Sequence, residues 1–293
     1  MTDFRFHRPG IIGAGRVAQA LALAFAPHAP APPLLWGRTP ESTRSATTAI
    51  GAVFAPTIDR LMADCDVITI AVSDDALAAV VSDMAAILPA SHAPFIFHVS
   101  GRSGAAILEP LRVAGALTAA LHPAMTFTGD PQAEVQRMAG ARFAVTGSTT
   151  EATGQAKRIV ALLGGIAVEI AEDRRSIYHA ALCHASNHLV TLIAGAANTL
   201  RDAGVDDPSG LLAPLVRAAL ENSLDHGFAG LSGPLLRGDD LTIAGHLDAL
   251  SAHSPDLLPA YRAMARATLD ELKRGGTMPS ARLTALDSLL AVP

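Results

Sequence analysis

From Ser176 to Leu200 the chain carries no charged residue, and four residues in this helix-like stretch have side chains suited to chemistry. At about 100° per residue, His179, Cys183, Ser186 and Asn187 fall within one sector of roughly 100°. A histidine, whose type carries a proton near neutrality, beside a hydroxyl and an amide suits proton transfer and substrate orientation in a wet cavity. The alternative reading is a stripe of buried polar groups satisfied locally. His184 and His188 stand four apart on another part of the helix, a metal-compatible spacing, but no acidic ligand accompanies them and no metal is expected. In Leu121-His122-Pro123 the proline holds the preceding residue extended. His122 therefore either projects into a cleft or makes one structural hydrogen bond. Between Leu231 and Asp240 a Gly-Pro loop leads into a helix carrying His246. Asp239 or Asp240 is suited to cap that helix, and Arg237 to hold a carboxylate through two parallel hydrogen bonds.

The partner for such chemistry is indicated near the N-terminus. Gly10-Ile11-Ile12-Gly13-Ala14-Gly15-Arg16-Val17-Ala18 is a G-x-G-x-x-A pattern placed after a strand and at the start of a helix. Gly13 permits a tight turn, Gly15 lets the backbone approach a pyrophosphate, and Ala18 keeps helix and strand close. The helix start, including Ala14, Arg16 and Val17, offers unpaired N–H groups to an anion. A glycine turn without a ligand is the alternative. About 20 residues on, where an acidic residue marks NAD, stands Trp36-Gly37-Arg38-Thr39. With no carboxylate there, Arg38 and Thr39 favour the 2′-phosphate of NADP. The third expected strand ends in Ala71-Val72-Ser73-Asp74-Asp75 and the fourth in His98-Val99-Ser100-Gly101. Val72, Ser73, Ser100 and Gly101 thus lie at the carboxyl edge, where a dinucleotide rests. Asp74 and Asp75 suit the cap and first turn of the next helix.

Short β-type runs alternate with helical patterns through the first half and position these groups. Strands are expected at Gly10–Gly13, Leu34–Trp36, Val67–Val72, Phe95–Val99, Ala116–Leu121, Arg142–Thr146 and Ile166–Ile170, with helices such as Arg16–Ala26 and Ala76–Leu88 between them. Continuous apolar runs such as VITIAV suit parallel strands buried on both faces. The expected fold is α/β: a doubly wound Rossmann sheet over residues 1–172, then an all-helical domain over 173–293, joined at Ala171–Arg174.

With 293 residues, 50% apolar and 17% charged, the chain has enough apolar surface for two cores and is not disordered. A net charge of −5, with 20 scattered Arg and 2 Lys, gives nucleic acid no basic patch. Two cysteines, Cys65 and Cys183, make no disulfide framework and suit a reducing cytoplasm. Prolines 27, 30, 32 and 33 break one uncharged stretch, while three histidines and two asparagines make the 176–200 stretch costly in lipid. The N-terminus has no signal-type apolar region, so no membrane partner is expected.

The blocks Ile12–Gly15, Val99–Gly101, Leu121–Phe127, Tyr178–Asn187 and Gly233–Asp239 with His246 resemble a bacterial Rossmann-like family whose C-terminal half is a domain of unknown function. That family is similar to ketopantoate reductase, pyrroline-5-carboxylate reductase and the 6-phosphogluconate dehydrogenase superfamily. The resemblance implies an NADP-binding domain and a helical domain through which a homodimer forms. Related dehydrogenases use Lys-x-x-x-Asn on the first interdomain helix. Asn187 fits that asparagine, but Cys183 stands where the lysine would be. The expectation is an NADP-dependent oxidoreductase that passes hydride to a small carbonyl compound. His179 would be the proton donor and His122 its reserve, Asn187 and Ser186 would orient the substrate, and Tyr178 and Arg237 would bind it. Similarity points to a 2-oxo acid of the ketopantoate type. An imino acid reductase of the pyrroline-carboxylate kind and a catalytically silent NADP-binding sensor are the alternatives.

Overall fold

Apolar runs without alternation belong inside a sheet covered on both faces. The computed structural model, which describes residues 6–89, 93–276 and 278–291, places them there. Its strands are β1 (Pro9–Ile12), β2 (Leu34–Trp36), β3 (Val53–Phe54), β4 (Val67–Ile70), β5 (Phe95–His98), β6 (Leu117–Pro123), β7 (Arg142–Gly147) and β8 (Ile166–Glu169). Among the described residues these form one sheet in the order β3-β2-β1-β4-β5-β6-β7-β8. The first six are parallel, the pairing that crossover helices produce.

The helices packed on the sheet are α1 (Arg16–Phe25), α2 (Pro40–Ile50), α3 (Ile58–Asp64), α4 (Asp74–Ile87), α5 (Glu109–Val113), α6 (Pro131–Met138) and α7 (Thr150–Leu162). Successive strand residues feed opposite faces. Ile11, Val67 and Phe97 join Phe25 of α1 and Val160 of α7 in one core, while Ile12, Ile68 and Ile96 join Met62 of α3 and Met84 of α4 in the other. This is the doubly wound arrangement.

Four details differ from the sequence expectation. β3 has two residues and no apolar run to announce it, so the strands ending before Val72 and Val99 are the fourth and fifth. β6 continues through His122 and Pro123, which puts His122 on the strand itself. β7 runs antiparallel to β6. The eight residues of α6 span only about 12 Å, so the chain stays at the carboxyl edge and β7 enters from there. The cap before α4 is Ser73, with Asp74 and Asp75 in the first turn.

The remaining helices are α8 (Arg175–Asp202), α9 (Pro208–His226), α10 (Pro234–Arg237), α11 (Asp240–His253), α12 (Leu258–Gly275) and α13 (Ser280–Ala291). The chain forms two compact units, residues 1–183 and 184–293, and α8 begins in the first and continues into the second. The second unit has its own core, with Ile243 and Leu247 of α11, Leu269 and Leu272 of α12, and Leu286 and Leu290 of α13. Asp239 caps α11 by accepting from Thr242 N at 3.2 Å.

Candidate active site

The turn between β1 and α1 is built for close approach. Gly13 has φ +124°, and a Cβ there would collide with the Ala71 carbonyl at the end of β4. Only glycine fits both conditions. Gly15 sets the start of α1, and a Cβ on it would point into open space. No side chain caps α1 and no acidic residue stands in its first turn, so its N–H groups and positive end face outward. Ala18 is fully buried beneath them. Gln19 donates to Ala14 O at 2.9 Å, and Arg16 reaches Phe127 O at 3.4 Å. Val17 is half-buried against the sheet core.

At the end of β2, Arg38 is exposed and makes no ion pair with a described residue. Arg44, the other arginine nearby, lies over the Phe54 ring at 3.9 Å. Thr39 is the N-cap of α2, and its carbonyl accepts from the Thr43 hydroxyl at 2.8 Å. At the end of β4, half-buried Val72 packs on the second core and Ser73 is exposed. These features fit a dinucleotide: room and free N–H groups at the pyrophosphate, and an unpaired guanidinium at the ribose.

The loop after β5 is locked by buried polar groups. His98, fully buried, accepts from Ser100 N through Nδ1 at 3.1 Å and therefore carries its proton on Nε2, which donates to Gly104 O at 2.8 Å. Burial pushes its pKa down to about 4, helped by the charge of Arg175 and opposed by the bond to Gly104. Ser100 Oγ accepts from Ser103 N at 3.2 Å. Arg175, 1% exposed, donates to Ser100 O at 2.8 Å, Ser103 O at 2.9 Å and Ala144 O at 3.3 Å. The sequence reading missed both His98 and Arg175. The signal available for Arg175 was its spacing: it stands three and four residues before Tyr178 and His179, on one helix face.

His98 makes folding sensitive to acid. In the window between its folded pKa of about 4 and the ordinary 6.5, the unfolded chain binds a proton that the folded one refuses. Its contribution is thus complete above 6.5 and declines by about 3 kcal/mol as pH falls to about 4. Urea unfolding at neutral pH and near pH 4 should show that loss, and His98→Gln should show a smaller pH dependence. An equal slope in both proteins would remove His98 as the cause.

Three predicted side chains meet at the glycine of this loop. His122 Nδ1 and the Tyr178 hydroxyl share a hydrogen bond of 3.0 Å, and the His122 and His179 rings meet edge to face at 5.7 Å. A Cβ on Gly101 would stand 2.9 Å from His179 Nε2 and 3.0 Å from His122 Nε2. Burial first, then the charges of Arg175 and His179, push the His122 pKa down to about 4. His122 is therefore a neutral ring at physiological pH. Burial raises the pKa of Tyr178, so its hydroxyl keeps its proton. Cys183 Sγ lies 3.6 Å from His179 Nε2.

Ser186, Asn187 and Arg237 belong to the second unit. Ser186 Oγ donates to Asn187 Oδ1 at 3.2 Å. Arg237 is exposed on a cleft of about 470 Å³ that Arg282 and Asp239 also line. His184 and His188 bring their Nδ1 atoms to 3.0 Å. Among the described residues no three His, Cys, Asp or Glu side chains are grouped to hold a metal ion.

Residues 3–123 match a Rossmann-like domain, and residues 141–268 match the domain of unknown function DUF2520. Among solved structures the chain is similar to a Bacteroides fragilis protein described as an NADP oxidoreductase, with 20% identity, a TM-score of 0.72, and coverage of 89% of this chain and 97% of that one. An imine reductase from Myxococcus stipitatus in complex with NADP+ shares 18% identity at a TM-score of 0.67, covering 95% and 99% of the two chains. A reductive aminase from Aspergillus terreus in complex with NADPH and ethyl-5-oxohexanoate shares 20% at 0.66, covering 97% and 99%. At these identities the likeness is one of fold. No curated protein matches the chain.

Proposed function

We propose that the protein is an NADP-dependent reductase that transfers hydride to a small C=N or C=O compound. The observation that carries this reading is the meeting of His122, Tyr178 and His179 at Gly101, in the same unit as the Gly13–Gly15 turn. Gly13, Ala14, Gly15, Arg16 and Val17 would hold the pyrophosphate, and Arg38 with Thr39 the 2′-phosphate. Val72, Ser73, Ser100 and Gly101 would line the carboxyl edge. When bound, the cofactor supplies the hydride.

The chain's own part is placement and one proton. His179 is assigned the proton, because His122 is held neutral and bonded to Tyr178. The His122–Tyr178 pair in turn packs against the His179 ring and fixes its orientation. Ser186 and Asn187 are assigned to substrate orientation and Arg237 to a substrate carboxylate.

The imine reductase and reductive aminase among the similar folds support a C=N substrate, such as a pyrroline-carboxylate-like imino acid. A 2-oxo acid of the ketopantoate type is the second reading, favoured by the exposed guanidinium of Arg237. NADPH oxidation by the purified protein with cyclic imines, pyrroline-5-carboxylate and 2-oxo acids tests both. Saturable turnover with one class selects it. NADPH binding with no oxidation across the panel would leave a silent sensor.

The same reading makes the protein a cytoplasmic homodimer joined through the helical domain, with neither nucleic acid nor membrane as partner. Residues 172–202 are long and apolar enough to cross a membrane by length and composition. We assign that surface to a second copy because α9 carries a matching one: Leu215 is 65% and Leu224 77% exposed. A groove of about 410 Å³ runs between the two helices, lined by Leu192, Ile193 and Leu212. Light scattering without detergent should give a dimer, and Leu215→Glu should shift it toward monomer. A monomeric wild type at micromolar concentration would contradict this.

A further inference from the structure

We propose that Arg175 is a positioning residue of the candidate active site: its buried guanidinium fixes the Ser100–Ser103 loop against the first turn of α8 and sets a permanent positive charge beside His122. The three carbonyls it binds lie on two separate segments, Ser100 and Ser103 after β5 and Ala144 on β7. With α8 as the third, one side chain ties three elements together. Gly101 lies between two of the anchored residues. Tyr178 and His179 follow Arg175 by three and four positions, so they project from the same helix face. Moving the guanidinium would separate Gly101 from both histidines.

The pairing is also unusual in its chemistry. A buried charge is ordinarily matched by an opposite one, yet among the described residues no carboxylate forms an ion pair with Arg175. Of the two carboxylates just before it in sequence, Asp173 pairs with Arg174 at 3.3 Å and Glu172 accepts from Ala106 N at 3.3 Å. Three carbonyl dipoles solvate the charge, in a fork geometry that a lysine ammonium cannot reproduce, and the Tyr178 ring lies 5.8 Å from its Cζ. The groups facing His122 are Arg175, Tyr178 and His179 of α8, His98 of β5 and Asp74 of α4. After burial, Arg175 is the largest influence that keeps His122 uncharged. With His122 neutral, its Nδ1 can accept from the protonated Tyr178 hydroxyl.

This inference deepens the reductase reading, and only its turnover readout rests on that reading. The test compares Arg175→Gln and Arg175→Lys with the wild type by three measurements: imidazole NMR titration of His122, amide exchange of residues 100–104, and kcat with whichever substrate is turned over. Arg175→Gln should raise the titration midpoint of His122 and speed exchange in the loop. Arg175→Lys should keep the midpoint low, because the charge remains, while still speeding exchange and lowering kcat about a hundredfold through misplacement. An unmoved His122 midpoint in Arg175→Gln, or wild-type loop exchange in Arg175→Lys, would overturn the proposal. If Arg175→Gln does not fold, the loop exchange of Arg175→Lys decides it. The NMR and exchange readouts need no substrate, so a failed reductase reading would leave them standing.

Discussion

Gly15→Ala should fold like the wild type and bind NADPH at least tenfold more weakly, whereas Gly13→Ala should fail to reach a stable fold. The two glycines are two residues apart but do different work. At Gly13 the left-handed φ of +124° alone costs a side-chain-bearing residue roughly 1–3 kcal/mol. The added methyl would also meet the Ala71 carbonyl, whose own N–H bonds Ile12 O at 2.7 Å. Relief would require parting β1 from β4 at the centre of the sheet. With net stability of only about 5–15 kcal/mol for a domain, such a loss is not absorbed easily. At Gly15, φ is −75° and a methyl meets nothing. Its only effect is to occupy the space above the N–H groups of α1. Thermal unfolding and NADPH titration of the two variants check the contrast. A Gly15→Ala protein with unchanged NADPH affinity would mean that the phosphates do not lie over this turn.

The second large effect is on chemistry. His179→Gln should lower kcat by about 10²–10⁴-fold, the range for losing a positioned acid, while NADPH affinity stays unchanged. Tyr178→Phe should cost less, about tenfold, because it removes a support of His122 rather than the assigned donor. Activity should also fail on the acid side as pH drops toward about 4, where His122 takes up a proton and places a second charge beside Arg175. A Tyr178→Phe loss larger than that of His179→Gln would move the proton to the tyrosine hydroxyl, whose raised pKa keeps it protonated. Steady-state kinetics of the two variants over a range of pH decide between them.

The parts of the site that could be read from sequence are those set by local rules. Gly13, Gly15 and Ala18 announce a strand-turn-helix in nine consecutive residues, and VITI and FIFH announce buried strands by composition alone. His122 before Pro123, and His179 with Cys183 on one helix face, are likewise visible in pattern. Tertiary context supplied the rest. Arg174 and Arg175 are neighbours of one type, yet one is exposed and the other buried, because only Arg175 points at the carbonyls of the loop after β5. His98 reads as the end of a strand until the turn folds its Nδ1 under Ser100 N. The direction of β7 depends on how far α6 carries the chain, which periodicity does not encode. The hydrogen bond between Tyr178 and His122, 56 residues apart, is likewise a product of tertiary context.

The most direct test of the central claim follows the hydride itself. The protein would be incubated with NADPH carrying deuterium at the reactive carbon, together with a cyclic imine or a 2-oxo acid, and the product analysed by mass spectrometry. One deuterium is expected in the amine or hydroxy acid, with transfer reduced in Gly15→Ala at limiting NADPH and greatly slowed in His179→Gln. Bound NADPH that never passes its deuterium to any carbonyl or imine would contradict it.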